Sequence, residues 1–257
     1  MPDLGIDLPP NHRLVSLAED PSLRRPMGAL NVSVWPAFMV EGGDAAAADN
    51  WDRLFEQWPD YQLCLFDGDG RLVAAHNSAP LAWDGTYDDL PAGWDDQFVR
   101  SAADEDAGRV VDTLGTTQVV VDPVVQRSRL SGVMIEAMRA NARVHGLRAL
   151  IACVRPTLKA RYPLTPIERY AAWTRDDGLP FDPWIRLHVR LGGRVVTPSP
   201  RSMTYRGTVA EWEAWTGLSL HDSGDYVVEG AASVLAIDRD ADQGVYFDPN
   251  VWVVHVL

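Results

Sequence analysis

Two arginines, a glutamine and two serines separate an apolar run from a stretch of helical periodicity. In order they follow Val119, Val120, Val121, Asp122 and Pro123, and read Gln126, Arg127, Ser128, Arg129, Leu130, Ser131, Gly132. The valines read as a strand and the segment 126–145 as a helix, so the polar residues crowd a helix mouth. There the first backbone N–H groups lack intrahelical partners and the helix carries partial positive charge. Arginines added at that point make an anion site, most naturally for a phosphate or pyrophosphate. The competing reading is a solvated helix face whose arginines pair with acidic loops. That reading is preferred for Arg139, Arg143 and Arg148, and ligand binding for Arg127 and Arg129. His188, further along, can donate or accept a proton near neutrality, its ordinary pKa being about 6.5; alternatively it is a helix-face histidine bonded to a carbonyl.

The charge at this turn stands out against the rest of the chain. The 257 residues carry a net charge of −13, yet residues 126–161 hold eight basic side chains and one acid, Glu136. Such acidity disfavours nucleic-acid binding and fits a small or cationic substrate. Hydrophobic residues make up 46% of the chain, enough for a substantial core. Cys64 and Cys153 sit in apolar runs without metal-ligand spacing and read as buried strand thiols. A reducing compartment follows. The first residues show no apolar signal core, and no apolar run approaches the roughly 18 residues of a bilayer span. A cytoplasmic protein without a membrane partner is expected.

The elements that must position these residues can be placed by pattern. A strand is expected at 12–19, then helix over 21–39 interrupted by Pro36, then a helix capped by Asp44. Residues 61–79 read as a hairpin. A loop with a helix near 94–107 follows, then the valine strand. In the helix after it, Leu130, Val133, Met134, Ala137, Met138 and Asn141 fall on one face, and Gly146 ends it. Residues 147–154 read as a central strand. After a long loop, Asp182 caps a short helix with Pro183 at its first position and Gly192 at its end. A strand, a small helix and two further strands complete an α/β layered domain with a mixed central sheet flanked by helices.

On these residues the chain resembles the GNAT superfamily of acyl-CoA-dependent N-acetyltransferases. The central family motif runs from a strand through Val-x-Pro into an Arg/Gln-x-x-Gly-x-Gly/Ala turn that opens a helix. Val121, Pro123 and Gln126 match it in register; Arg129 and Ser131 stand where glycines are expected, and Gly132 falls one place late. The order of elements matches from about residue 13 to 209, with residues 210–257 as a C-terminal extension packed on the same domain. A second family pattern, Asn-x-x-Ala-x-x-x-Tyr before a Gly-aromatic pair, is similar at Asp182, which holds the asparagine's place, and at His188, which holds the tyrosine's. Gly193 replaces the aromatic residue.

The resemblance implies acyl transfer from acetyl-CoA or another acyl-CoA to the amine of a small molecule. It implies that Val119, Val120 and Val121 run beside the pantetheine arm, that Gln126, Arg127, Ser128, Arg129, Leu130, Ser131 and Gly132 cradle the pyrophosphate, and that Asp182 belongs to the cofactor site. The tyrosine of the family protonates the departing thiolate, which makes His188 the expected acid here, with Asp122 the expected base; Asp84, Tyr162, Glu168 and Tyr205 are other candidates. Trp83, Trp173 and Trp184 are candidate pocket walls. Two other readings remain: a non-catalytic acyl-CoA-binding domain, motivated by the altered glycines, and a different thioester reaction, such as decarboxylation or use of a carrier-protein donor. A homodimer is compatible with the sequence. Residues 238–244 alternate acids like a calcium loop but lack the closing glutamate, and the six histidines show no HxxxH spacing, so no metal is expected.

Overall fold

Pro36 divides what the sequence reads as one long helix. In the computed structural model, which describes residues 3–125 and 129–257, helix α1 (Arg24–Val34) ends at Trp35, whose extended backbone (φ −88°, ψ 147°) is the conformation that a following proline imposes. Helix α2 (Ala37–Val40) starts just beyond it. Asp44 then caps α3 (Ala45–Asn50) through Oδ1, as its position implied, and α4 (Arg53–Glu56) follows. Strand β1 (Arg13–Ser16) precedes these helices, and the hairpin of β2 (Leu63–Phe66) and β3 (Leu72–Leu81) comes after them, with Gly70 at φ +78° in its turn.

Helix α5 (Trp94–Asp106) leads into β4 (Thr113–Val121), α6 (Leu130–Val144) and β5 (Ala149–Val154). The six residues read as one face of α6 are all buried, and so is every residue of β5. Leu130, Met134 and Ala137 pack on Leu63, Leu65, Val73 and Ala74 of the sheet. Each leucine, methionine or valine among them contributes about 1.5–3 kcal/mol of burial. A loop bearing α7 (Ile167–Ala171) reaches α8 (Pro183–Arg190), which Asp182 caps. Strand β6 (Arg194–Gly207), helix α9 (Val209–Thr216), the short β7 (Gly224–Tyr226), β8 (Leu235–Asp238) and β9 (Gln243–Val256) complete the chain. Thr208 and Glu211 form a reciprocal capping box on α9. Lys159, the chain's one lysine, is 1% exposed, and its ammonium donates to the carbonyls of Tyr162 (2.8 Å) and Ala232 (2.5 Å).

Among the described residues the strands form one mixed sheet in the order β1-β2-β3-β4-β5-β9-β8-β7, with β6 also paired to β9. β9 comes from the segment after residue 209, yet it is central. One edge pairs with β6, and the other pairs with β5 in its later half and β8 in its earlier half. The β4–β5 pair is parallel and short. Residues 113–116 pair with residues 149–152, after which the two strands run on, to Val121 and Val154, without pairing to each other. Meanwhile β4 stays paired to β3 as far as Val121, and β5 to β9 as far as Val154. Each strand is held by its outer neighbour, so the sheet splits between them. No helix among the described residues is long and apolar enough to cross a membrane.

Candidate active site

The split in the sheet opens onto a cavity of about 430 Å³. β4 contributes Thr116, Thr117, Gln118 and Val119 to its wall, and β5 with the following residue contributes Ala152, Cys153, Val154 and Arg155. A β-bulge lies at this point: Asn77 of β3 faces Gln118 and Ser78 faces Thr116, so Thr117 is the extra residue. Thr117 is buried and its Oγ1 has no hydrogen-bond partner, while its carbonyl accepts from Trp94 Nε1 at 2.6 Å.

Tryptophans make up much of the remaining wall: Trp35 from the α1–α2 corner, Trp51 after α3, Trp94 from α5 and Trp184 from α8. A chain of amides fixes Trp35. Its Nε1 donates to Gln118 Oε1 (3.1 Å), Gln118 Nε2 to Asn77 Oδ1 (2.6 Å), and Asn77 Nδ2 to Gln62 Oε1 (2.8 Å). The cavity thus has aromatic faces of fixed orientation, which attract cations as well as apolar groups.

Two carboxyls meet on one amide beside this cavity. Asp44 lines it; its Oδ1 caps α3 and its Oδ2 accepts from Thr204 N at 2.9 Å. Asp95 Oδ2 accepts from the same N–H at 3.0 Å. Burial, and then the neighbouring Asp44, push the Asp95 carboxyl up to about 9, so it is protonated at neutral pH. Opposite charges are also present. Arg155 Nε donates to both oxygens of Asp248 (2.9 and 3.0 Å) and its Nη2 to Gly230 O (2.7 Å), while Tyr246 OH donates to Asp248 as well. Burial alone would lower the pKa of Arg155, but Asp248 more than reverses this and keeps the guanidinium charged. Cys153 borders the cavity with Sγ 3.0 Å from Ser202 Oγ; burial pushes its thiol up to about 12, which leaves it neutral and a poor nucleophile.

The structure redistributes the residues expected from sequence. His188 lines the cavity, as its candidacy required, and Val119 does too, along with Trp184 and Tyr205. Burial and then His255 lower the pKa of His188 to about 3, however, so at neutral pH it is a neutral imidazole and not the imidazolium acid expected. Asp122 does not line the cavity. Its Oδ1 accepts from Val124 N (2.9 Å) within the turn and its Oδ2 faces Arg71 at 3.6 Å, which withdraws it as the base. Asp182 is withdrawn from the cofactor site because all its acceptor capacity is occupied: Oδ1 takes Trp184 N and Ile185 N, and Oδ2 takes Leu158 N and Tyr170 OH. Val120 is buried in the core against α1, and Val121 packs with the residues under α6.

Gln126, Arg127 and Ser128 lie outside the described residues. Arg129 is exposed at the N-cap of α6, Ser131 and Gly132 are half-buried in its first turn, and Leu130 points into the core. Most of the other basic residues of this unit hold the fold together. Arg148 bonds Asp112 (2.6 Å) and the Trp83 carbonyl, Arg139 donates to Leu191 O (2.8 Å), and Arg155 and Lys159 are engaged as above. Trp83 and Trp173 sit in core clusters, Asp84 and Tyr162 do not line the cavity, and Glu168 lines a second, separate hollow. Sequence reasoning missed Thr117, Trp35, Trp51, Trp94 and Arg155 as cavity residues. The bulge left no mark in the sequence, and the tryptophans come from four separate elements.

No family model matches the chain. It is 29% identical to the arginine N-acetyltransferase avaD of Aspergillus versicolor, over 99% of this chain and 97% of that protein. Its fold is similar to the loading GNATL domain of CurA from Lyngbya majuscula (TM-score 0.60, 16% identity, 95% of this chain and 97% of that one). It is also similar to the GphF GNAT-like decarboxylase in complex with isobutyryl-CoA (TM-score 0.56, 18% identity, 95% and 98% covered). In its fold and in this full-length relative the chain is similar to N-acetyltransferases and GNAT-like proteins.

Proposed function

We propose that the protein transfers an acetyl or related acyl group from coenzyme A to the amine of a small, cationic molecule. The observation that carries this reading is the split between β4 and β5, which leads into a cavity walled by four tryptophans and Asp44. The fit of an acyl-CoA rests on the edge of β4 from Thr117 to Val120, which the split leaves unpaired to β5, and on the partnerless Thr117 hydroxyl beside it. The pantetheine arm adds to that edge as a strand would, and the phosphates lie toward Arg129 at the start of α6. The acceptor's cation rests on indole faces near an acidic wall, and the relative from Aspergillus versicolor, an arginine N-acetyltransferase, supports an arginine-like acceptor.

The chemistry is direct transfer. The neutral amine attacks the thioester carbonyl carbon, and the Thr117 hydroxyl donates to the oxygen as it gains charge. The tetrahedral intermediate collapses, the C–S bond breaks, and the proton that the amine nitrogen gives up ends on the departing thiolate. The two buried, unpaired thiols support a cytoplasmic setting.

The test is incubation of the purified protein with acetyl-CoA and L-arginine, agmatine or a neutral amine, reading thiol release and product mass. Acetylated cationic amine is the expected product. Thiol release without an acetylated amine, or conversion of malonyl-CoA to acetyl-CoA in its place, would overturn the reading.

A further inference from the structure

Among the described residues that line the cavity, Asp44 is the one carboxylic acid and Arg155 the one guanidinium. Arg155 follows the end of β5 and continues the face of Ile151 and Cys153, which pack with Trp94 and Phe98 of α5. Its Cζ lies 5.9 Å from the centre of the Trp35 ring. Ala152 and Val154 face the other way and pack with Ile185 of α8. On that far side Leu187 of α8 meets Ile135 and Met138 of α6. The sheet therefore stands between Arg155 and α6, at whose mouth the coenzyme phosphates belong, and the anion for Arg155 is a different one.

The guanidinium is only partly spent on the fold. Both oxygens of Asp248 take the same N–H, on Nε, at 2.9 and 3.0 Å, in place of the fork in which each oxygen takes an N–H of its own. Nη2 donates to Gly230 O at 2.7 Å. Nη1, with its two N–H groups, takes part in neither contact. The pair is sealed on its acid side and open on its basic side: the Asp248 side chain is fully buried, whereas that of Arg155 is 17% exposed and lines the cavity. Asp248 and Gly230 thus fix the plane of the guanidinium and leave donors in hand. A carboxylate entering from the cavity meets a charged group that is already oriented for it.

We infer that Arg155 is a specificity-determining residue that receives the carboxylate of the acceptor, so that the acceptor is a free cationic amino acid and not a decarboxylated amine. The inference rests on the acyl-transfer reading. Asp44 and the indoles take the cationic end of the acceptor and Arg155 takes the anionic end. A cavity lined by one charge of each sign fits a molecule that carries both. An acceptor without the carboxylate leaves the Nη1 donors facing the cavity without their acceptor, at the cost of a hydrogen bond to a charged group.

Three acceptors that differ at the carboxylate test this on the unaltered protein: L-arginine, its methyl ester and agmatine, each with acetyl-CoA. The kcat/KM for arginine should exceed that for either of the others by about tenfold to hundredfold. Equal values, or a preference for agmatine, overturn the inference and leave the proposed function standing. Arg155→Met combined with Asp248→Asn removes both charges of the buried pair together, so that neither is left alone. In that double variant the ratio of arginine to agmatine should fall to near one. A purely structural pair would lower all three rates in common and keep the ratio, and a ratio kept in the folded double variant overturns the inference. If the wild type acetylates none of the three, the proposed function has failed, and calorimetry with coenzyme A present decides for Arg155. Tighter binding of arginine than of agmatine then supports its role; equal binding, or none, overturns it. Decarboxylation of malonyl-CoA that the double variant loses would assign the carboxylate to the acyl group and overturns it too.

Discussion

At the scale of single residues, the cavity's chemistry comes from side chains with two jobs. Asp44 was legible as a helix cap because a cap is a local event: an acid before an alanine run. Its second contact, to Thr204 N, joins residues far apart in the chain and left no pattern to read. The same amide holds Asp95, and the proton this pair retains has a measurable consequence. Asp95 keeps its proton up to about pH 9 in the folded protein, whereas it loses it near 3.9 in the unfolded chain. A raised acid pKa contributes stability that is whole below the unfolded value and declines as pH climbs toward the folded one. Asp95→Asn, which keeps a neutral amide at that place, should flatten the fall in melting temperature between pH 5 and 9 and raise it at pH 8. An unchanged slope would show that the carboxyl is ionised.

The indoles and Thr117 give two kinetic expectations at the same scale. Trp35→Leu should raise the KM for arginine by roughly threefold to thirtyfold, the range of a cation over an indole. The KM for a neutral amine of similar size should move less; equal shifts would mean that the wall supplies only apolar contact. Thr117→Val keeps the shape and removes the donor. It should lower kcat by up to ~10² without weakening acetyl-CoA binding by calorimetry.

Elements were legible where one period ruled and illegible where partners decided. Helix α6 declared itself by an apolar face and a terminal glycine, and β5 by an unbroken apolar run. The three-residue β7 had neither signal. The parting of β4 and β5 was also unreadable, because it depends on how firmly β3 and β9 grip their outer edges. The helix that carries His188 was placed correctly, but its cap was misassigned to the cofactor. Asp182 is 2% exposed and accepts from two N–H groups of α8, one of the preceding loop and one tyrosine hydroxyl. Asp182→Ala should therefore cost about 2–4 kcal/mol, a lost cap plus buried donors without acceptors, read as a shift of the urea midpoint. Asp182→Asn should cost less.

For the whole molecule, the decisive quantity is charge placement. A chain of net −13 repels an anionic coenzyme everywhere except where its basic residues remain uncommitted. The sequence singled out a basic unit; in the structure four of its cations, Arg139, Arg148, Arg155 and Lys159, tie loops and strands together, and in the proposed function it is the helix mouth near Arg129 that meets the phosphates. Acetyl-CoA affinity should fall as salt rises from 50 to 500 mM, about as expected for exposed charges screened within ~10 Å at 0.1 M. Arg129→Glu should weaken it further with the melting temperature unchanged. Salt-independent binding would move the phosphates away from this turn.

The burial of Lys159 bears on how such a protein withstands its own reagent. Thioesters acylate ε-amines without help wherever a deprotonated one is exposed. Here the single lysine is enclosed, its ammonium held by two carbonyls, and every other basic side chain is a guanidinium or an imidazole. A surface of that kind can sit in acyl-CoA without collecting stray lysine adducts, and amine-directed dyes or crosslinkers will find no side chain on it to label.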